Sequence, residues 1–418
     1  MEEGSRITAV RAQGRCERLR PGPHGRERSA EQVRAHQRAR LEAAAIEVSF
    51  LRGCDHTTVA EIVARANVSK RTFYELFRGG QQCLLAACEA LAQARLRELA
   101  AAIPTAPAPE RVQALLGGVL DPQRLDRGQR RHLEAWAVAI EWPSIGAASV
   151  RGRAAWISNC ARLVAASASD REAGLVLPAL SARAIVHGMW FLLARRLLAG
   201  ERETARMPVE ELCEWVLACR CAASEPRLPA PIGDCANPAP ALRRACPASL
   251  LDLGAVEALA AMMKAARRSG EDWPSVVIAS VASLLFALSG RPALARVLFI
   301  DSLWSGRELL GRGGEILSSY AEVLGRRAPA PPRAQVVNEA IVGGVWGVIR
   351  ECLLTGRREH LPALSGQLAL FVLAPQIGAQ RAMEVIRGCG SLGRGGGARL
   401  APATADRRCE GDGSTMQR

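Results

Sequence analysis

Apolar residues recur at helical spacing along most of this chain, and the pattern becomes regular near Val33. A first helix is predicted from about Val33 to Arg52, because its apolar residues fall on one face at intervals of three and four. Gly53 follows directly and favours the left-handed conformation that ends many helices. The buried face of this helix is predicted to contain Leu41, Ala44, Ala45, Val48 and Leu51.

Two short helices are predicted next, separated by a tight turn. The first covers residues 59–65 and begins at Thr57 or Thr58, since Thr is a favoured N-cap residue. If Thr58 is the cap, Glu61 is placed to complete a capping box. The turn contains Asn67, which tolerates a positive φ better than other residues that carry a side chain.

The second short helix is the candidate for contacts with another molecule. It is predicted from Lys70 to Phe77, with Ser69 as its N-cap. Two short helices around a three-residue turn form a helix-turn-helix, whose second helix enters the major groove of DNA. Phe73 and Phe77 face inward at this spacing. The side chains left outside are suited to phosphates and base edges, and they are Lys70, Arg71, Thr72 and Tyr74.

The rest of the chain divides at segments rich in proline and glycine. A long helix is predicted over roughly 81–101, and the prolines from Pro104 to Pro109 end it. The predicted units are a flexible basic arm (1–30), a helix-turn-helix domain (31–95), a first helical domain (96–222), a proline-rich linker (223–250), a second helical domain (251–387) and a disordered tail (388–418).

Two segments on either side of the linker are similar in sequence. Residues 184–200 align without gaps on residues 340–356, and eight of the seventeen positions are identical. Shared Leu and Ala would mean little between two apolar helices, but a Trp and two Gly at fixed spacing are harder to obtain by chance. We therefore interpret the two domains as tandem copies of one helical domain. The identical pairs are Ala184/Ala340, Ile185/Ile341, Val186/Val342, Gly188/Gly344, Trp190/Trp346, Leu197/Leu353, Leu198/Leu354 and Gly200/Gly356.

In each copy, the row of apolar residues along one face of the helix, which we call the stripe, is predicted to be buried against another helix. Gly188 and Gly344 lie inside these helices despite a propensity cost of about 1 kcal/mol, which indicates a close helix approach. A further helix follows each stripe, from Pro208 to about Cys219 and from Pro362 to about Leu373. Such helix pairs suit a dimer seam, formed either between two chains or between the two copies of one chain. The sequence leaves both assemblies open.

Composition supports an all-α fold and a polyanionic partner. The chain is rich in Ala, Leu and Arg, which favour helix over strand. Its net charge of +14 attracts phosphate, so nucleic acid is the leading partner and an anionic membrane surface is second. Only Lys70 and Lys264 among the 55 basic residues are Lys, so part of the charge reflects codon usage.

Cysteine usage and apolar runs favour a soluble, cytoplasmic protein. The thirteen Cys form no C-x-x-C pair, and scattered Cys are typical of a reducing compartment. The first twenty residues contain no apolar signal segment. Arginines and a His interrupt the apolar helix at 182–198, which disfavours a membrane span.

The segment TTVAEIVARANVSKRTFYELF at 57–77 closely resembles the DNA-binding domain of TetR/AcrR-family transcriptional regulators. The similarity extends over about 60 residues. It implies that the helix-turn-helix domain, which we call the reader, binds DNA, with a double-stranded operator as partner. The candidate DNA-binding residues at the matching positions are Thr57, Thr58, Ser69, Lys70, Arg71, Thr72 and Tyr74.

The sequence departs from the family pattern at three places. Ser49 stands where the family usually has an aromatic or aliphatic residue, and Asn67 replaces the usual turn Gly. Residues 78–83 lack the polar cap, Lys and acids that usually begin the fourth helix of the domain. We therefore expect a weakened phosphate-binding start at that helix, for which Arg78 can compensate.

The helical copies resemble the family's ligand-binding and dimerisation domain, and residues 291–317 together with 340–356 match its sequence style. This resemblance implies a repressor that a small-molecule effector releases from DNA by changing the spacing of two recognition helices. Core packing is the more frequent role of a buried Trp or a lone His. The candidate ligand-binding residues are Trp136, His187, Trp190, Trp304 and Trp346.

Other classes of function find less support in the sequence. Neither a P-loop, a nucleophile elbow nor a paired acid and base is present, and we expect no enzyme, metal or cofactor. The competing hypothesis is a dimerisation or ligand-binding module whose DNA reader has decayed, as the unusual start of the fourth helix suggests. An activator is also compatible with these motifs.

Overall fold

The computed structural model describes residues 29–52, 57–120, 147–199, 208–223, 248–269, 272–300, 319–320, 322 and 335–395. The described residues are nearly all helical, which confirms the predicted all-α fold. The sheet among them is a short antiparallel pair, β1 (Leu175–Val176) with β2 (Cys221–Ala222).

Eight described helices precede the proline-rich linker and six follow it. The first eight are α1 (Ala30–Arg52), α2 (Val59–Ala66), α3 (Lys70–Leu76), α4 (Gly80–Ala102), α5 (Ala108–Leu120), α6 (Ala147–Ala168), α7 (Ala179–Ala199) and α8 (Val209–Ala218). The other six are α9 (Ala248–Arg268), α10 (Trp273–Gly290), α11 (Pro292–Phe299), α12 (Gln335–Leu354), α13 (Ser365–Ile377) and α14 (Ala379–Gly395). A 3₁₀ segment (Arg358–Leu364) lies between α12 and α13.

Several element bounds differ from those that the sequence pattern predicts. α1 begins three residues before Val33, because Ser29 and Gln32 form a capping box with two bonds of 3.2 Å. α9 begins inside the segment assigned to the linker, and α14 continues past residue 388 into the segment assigned to the tail. Pro362 lies within the 3₁₀ segment, and the α-helix begins only at Ser365.

The first three helices and the start of α4 enclose a small core of their own. Its centre is made of large side chains that are fully or almost fully buried. The inner face predicted for α1 is confirmed at four positions, and the side chain of the fifth, Leu51, lies outside the described residues. The main core residues are Leu41, Ala45, Ile62, Phe73, Phe77 and Leu84.

A second, larger core runs without interruption through the helices on both sides of the linker. Its middle is the contact between α7 and α12, which contain the two aligned segments. The predicted close helix approach is confirmed at both glycines. A Cβ on Gly188 would overlap the carbonyl group of Ala340, and a Cβ on Gly344 would lie 2.6 Å from the carbonyl oxygen of Ala184.

The described residues include one helix, α10, that is long and apolar enough to cross a membrane by length and composition. Eight of its eighteen residues are buried in the core, including Trp273, Val277 and Leu285. Residues 182–198 were expected to form the most apolar long helix, but α10 is the more apolar of the two. A helix buried in the core of a protein can have the same length and composition, so this finding is weak evidence for a membrane span.

Two buried polar side chains, His187 and Glu351, and the partly buried Arg183 come together where α7 meets α12. The Arg183 guanidinium pairs with both carboxylate oxygens of Glu351, and His187 Nε2 lies 3.0 Å from Glu351 Oε2. Burial alone would raise the pKa of Glu351, but the hydrogen bond and charge of His187 and the charge of Arg183 lower it to about 2. Burial lowers the pKa of His187, although Glu351 opposes that shift. Glu351 is therefore ionised and accepts from both partners.

We expect the contribution of Glu351 to folding stability to disappear at acid pH. The pKa of this carboxyl is about 2 in the folded chain and 4.5 without perturbation, so the unfolded chain takes up the proton first as pH falls. The contribution is complete above pH 4.5 and is lost progressively toward pH 2. Denaturant unfolding across this range checks it. Glu351→Gln should be less stable at neutral pH, because Arg183 loses its buried partner, and should show a flatter acid limb.

The matched control is Glu384→Gln, which removes a carboxylate from an exposed pair with Arg381 at 3.1 Å. This variant should follow the pH curve of the original chain. Parallel curves for the original chain and Glu351→Gln would show that Glu351 has an ordinary pKa in the folded state.

Candidate nucleic-acid interface

The start of α2 is fixed by a capping box. Thr58 Oγ1 accepts from the Glu61 backbone N–H at 3.3 Å, and Glu61 Oε2 accepts from the Thr58 backbone N–H at 3.3 Å. Thr58 is therefore the N-cap, as one of the two sequence alternatives predicts, and Thr57 precedes it half-buried. Both Thr side chains lie at the positive end of a helix dipole, which favours an approaching anion.

The turn between α2 and α3 depends on Asn67. Its φ of 49° and ψ of 49° place it in the left-handed region, and it is the one non-glycine residue with positive φ among the described residues. Its N–H donates to the carbonyl of Ala64 at 3.3 Å, and the N–H of Val68 donates to that of Val63 at 3.1 Å. Asn fits here because its short polar side chain tolerates this conformation.

α3 begins at Lys70 with Ser69 as its N-cap, as predicted, and turns its phenylalanine side chains inward. Ser69 Oγ accepts from the Thr72 backbone N–H at 3.0 Å. Phe73 and Phe77 are 0% and 2% exposed, and their ring centroids lie 5.7 Å apart. Packing of these two rings fixes the rotation of α3 about its axis. The opposite face is therefore presented to solvent.

The exposed face of α3 carries the long polar side chains predicted for it. Lys70 and Arg71 are exposed, Tyr74 is 60% exposed, and Thr72 is half-buried. Arg71 Nε lies 3.2 Å from Glu75 Oε1, but the Arg71 side chain keeps 89% of its surface exposed. Exposed ion pairs of this kind are weak, so the guanidinium is free to exchange this partner for another anion.

Two arginines make contacts between helices of this unit that the sequence did not predict. Arg40 on α1 donates to the carbonyl oxygen of Asn67 at 3.3 Å, across 27 residues. Arg65 on α2 pairs with Glu47 on α1 at 2.6 Å. No local motif marks contacts at such separations, so only the packed structure reveals them.

The start of α4 is built differently from the family pattern, as the sequence indicates. Gly79 is the N-cap, and it has no side-chain hydrogen bond to offer the first turn. Gln82 Oε1 instead accepts from the Arg78 backbone N–H at 2.6 Å. A Cβ on Gly80 would touch Ile62 and Val59 at ordinary distances, so this end of α4 stays packed on α2. The helix start is intact although its cap is unusual.

The candidate ligand-binding residues lie at separate places in the two predicted helical domains, 96–222 and 251–387, which we call the first and the second body. Trp190 is 5% exposed and meets Trp156 edge-on at 5.5 Å, whereas Trp346 stacks on Phe299 at 3.9 Å. His187 lines a small cavity at the contact of α7 with α12, together with Arg153, Ile157 and Thr355. Trp136 and Trp304 lie outside the described residues.

Residues 41–87, from the middle of α1 into α4, match the family model of the tetR family of bacterial regulatory proteins. Two solved structures are similar at low identity. The fatty acid degradation regulator FadR from Bacillus halodurans is 13% identical, with 43% of this chain and 94% of that chain covered and a TM-score of 0.36. The reduced form of E. coli NemR is 16% identical, with coverages of 44% and 94% and a TM-score of 0.34. No curated protein matches this chain.

Substitutions at Asn67 should change the stability of the turn in opposite ways. Asn67→Val should destabilise the helix-turn-helix by about 1–2 kcal/mol, because a β-branched side chain is disfavoured at positive φ. Asn67→Gly, the matched control, should match or slightly exceed the original stability. Amide hydrogen exchange of peptides covering 59–77 measures both. Equal protection in the Val and Gly variants would mean that the left-handed conformation at Asn67 is absent in solution.

Proposed function

We propose that this chain regulates transcription by binding a specific DNA sequence through α3, and the match of residues 41–87 to the tetR family of bacterial regulatory proteins supports this proposal. The observation that carries the proposal is the orientation of this helix. Burial of Phe73 and Phe77 leaves Lys70, Arg71 and Tyr74 on the free face, where they can enter a major groove.

The remaining candidate residues fit contacts to the DNA backbone. Thr57 and Thr58 lie at the start of α2, and Ser69 and Thr72 lie at the start of α3. Hydroxyl groups and backbone N–H groups at helix N-termini are suited to phosphate oxygens, and such contacts set the register without reading bases. The +14 net charge adds a sequence-independent attraction that salt weakens.

We further propose that the protein is a repressor and that the helical body behind the reader binds a small-molecule effector. α4 supports this coupling because it belongs to both parts. Its first turns contribute Cys83 and Leu84 to the core of the reader, and Leu99 near its end belongs to the core of the body. A ligand that tilts α4 therefore changes the position of α3.

Trp190 is the candidate residue best placed to act on α4. It packs in a small cluster with Ala92 of α4, Leu193 and the partly buried Trp156. A molecule bound beside this cluster would press directly on the middle of α4. Trp346 lies in the second body, where it packs against Phe299, and is less directly linked to the reader.

Arg71→Ala should weaken specific binding. Loss of one base-reading Arg costs about 1–3 kcal/mol, or roughly 5- to 150-fold in affinity. The site is first obtained by selecting bound fragments from random DNA, and affinity is then measured at several salt concentrations. The matched control is Arg381→Ala, an exposed Arg with a carboxylate partner at 3.1 Å on α14, which should bind as the original chain does.

Two outcomes would contradict the proposed DNA recognition. One is a selection that enriches no motif, and the other is an Arg71→Ala variant that keeps the affinity of the original chain for the selected site. Either result would favour the competing hypothesis that the DNA-binding domain has lost its function. The start of α4 at Gly79, which has no side-chain cap, is the observation that supports that hypothesis.

Trp190→Ala should separate effector response from DNA binding. Compounds that release the original chain from its selected DNA should release this variant less well, because the contact with Ala92 is lost. The measurement is fluorescence anisotropy of labelled DNA during compound titration. Trp346→Ala is the control and should keep the response. Equal release from Trp190→Ala and the original chain would place the sensor elsewhere.

A further inference from the structure

The contact between α7 and α12 is made twice, about a pseudo-twofold axis. The helices run in opposite directions, since Arg183 near the start of α7 meets Glu351 in the last turns of α12. Gly188 lies against the backbone of Ala340. In the alignment of the two segments, which are offset by 156 positions, Gly344 is the counterpart of Gly188 and Ala184 is the counterpart of Ala340. Gly344 and Ala184 also lie against each other.

The helices that follow α7 and α12 obey the same relation. Trp215 on α8 and Phe371 on α13 are also separated by 156 positions, and both are fully buried. Their rings meet edge-on with centroids 5.8 Å apart. A residue that contacts its own counterpart lies on the symmetry axis. The four helices α7, α8, α12 and α13, which we call the seam, therefore have the geometry of an isologous dimer interface.

Two pairs of residues in the seam break this symmetry by size. His187 packs against Gly347, where a Cβ would lie 2.6 Å from His187 Nδ1. Phe191 packs against Gly343, where a Cβ would lie 2.7 Å from the Phe191 Cβ. By the same shift, Gly343 is the counterpart of His187 and Gly347 is the counterpart of Phe191. α7 thus carries both large side chains, and α12 carries both spaces that receive them.

Charged residues of the seam also differ between α7 and α12. Arg183 of α7 pairs with Glu351 of α12 in a largely buried position. The sequence counterparts of these two residues are Glu339 and Arg195, so each helix carries one sign of charge at both positions. α7 has two arginines where α12 has two glutamates.

We propose that the two helical bodies of this chain fit each other and reject copies of themselves, so that the chain closes into an intramolecular pseudo-dimer with a single DNA reader. The partner of each seam surface is the other body of the same chain. The linker at 223–250 keeps the two surfaces at high effective concentration, which favours closure within the chain over pairing between chains.

Pairing of identical surfaces fails for steric and electrostatic reasons. Two copies of α7 in this geometry would place His187 of one against Phe191 of the other, where the structure allows only a Gly. They would also bring Arg183 against Arg195, two like charges in a desolvated contact. Two copies of α12 would leave cavities at the glycines and bring two glutamates together. These clashes and cavities disfavour pairing of identical surfaces relative to pairing of α7 with α12.

The consequence for DNA, which rests on the proposed function, is that one chain reads one half-site. The described residues contain one helix-turn-helix, at α2 and α3, and no second one. A change in the spacing of two recognition helices, as the family resemblance implies, then cannot release the DNA. The tilt of α4 remains as the route of release.

Sedimentation equilibrium of the full chain without DNA tests closure independently of DNA binding. We expect a mass of 44.7 kDa that stays constant over a hundredfold range of concentration. A mass of twice that value would overturn the proposal, whether the dimer forms through identical surfaces or by exchange of bodies between chains.

Seam variants test the fit of large residues into glycine spaces. Gly343→Leu should destabilise the chain strongly, because its side chain meets Phe191. Phe191→Gly in the same chain should restore much of the loss, so the double variant is more stable than the sum of the single effects predicts. Gly388→Ala, on an exposed helix position with open space, is the control and should not destabilise. Additive effects at Gly343 and Phe191 would contradict the proposed fit.

Hydroxyl-radical footprinting on the selected DNA separates this inference from the proposed function. A protected site within one helical turn and without a palindrome supports the single reader. A palindromic site bound by two chains would keep the proposed function and overturn the inference. A monomer that protects no site would overturn the proposed function and leave the closed seam in place.

Discussion

The close approach of α7 and α12 is the constraint on which the rest of the molecule depends. Their backbones come so near that no side chain fits at Gly188 or Gly344. Protein interiors are packed densely and deform little, so this contact fixes the distance between the two bodies. The surrounding core is continuous through the contact, and the bodies therefore behave as one packed unit.

Among the described residues, the long helix α4 connects the reader to this unit. α4 starts against α2, passes Trp190 in its middle and ends in the core of the first body. Its two ends belong to different cores. Under the function proposed above, an effector that changes the packing of the first body acts on the reader through this helix.

The sequence predicted the features that local residues determine. The cap at Ser69, the turn at Asn67 and the inward face of α3 depend on neighbours within four positions, and the structure confirms them. For α2 the sequence left Thr57 and Thr58 open as caps, and the structure selects Thr58. The repeat between 184–200 and 340–356 predicted the close approach at two glycines, because the loss of a Cβ inside a helix needs a packing reason.

The features that the sequence did not predict depend on distant partners. Arg183 and Glu351 are 168 positions apart, and no periodicity marks them as a pair. The start of the helix after α12 was placed at Pro362 because Pro favours a first helical turn, but the 3₁₀ segment contains this residue. In the alignment, His187 and Gly347 each stand opposite a residue of very different size. That the large residue of one helix packs against the glycine of the other is visible only in the structure, where the two helices face each other.

Native mass spectrometry of the chain bound to its selected DNA duplex counts chains and duplexes in one complex, and so tests directly whether the chain closes on itself. A closed pseudo-dimer gives one chain per duplex, at the 44.7 kDa of the chain plus the mass of the DNA. Two chains on one duplex, at every protein concentration at which a complex forms, would contradict it.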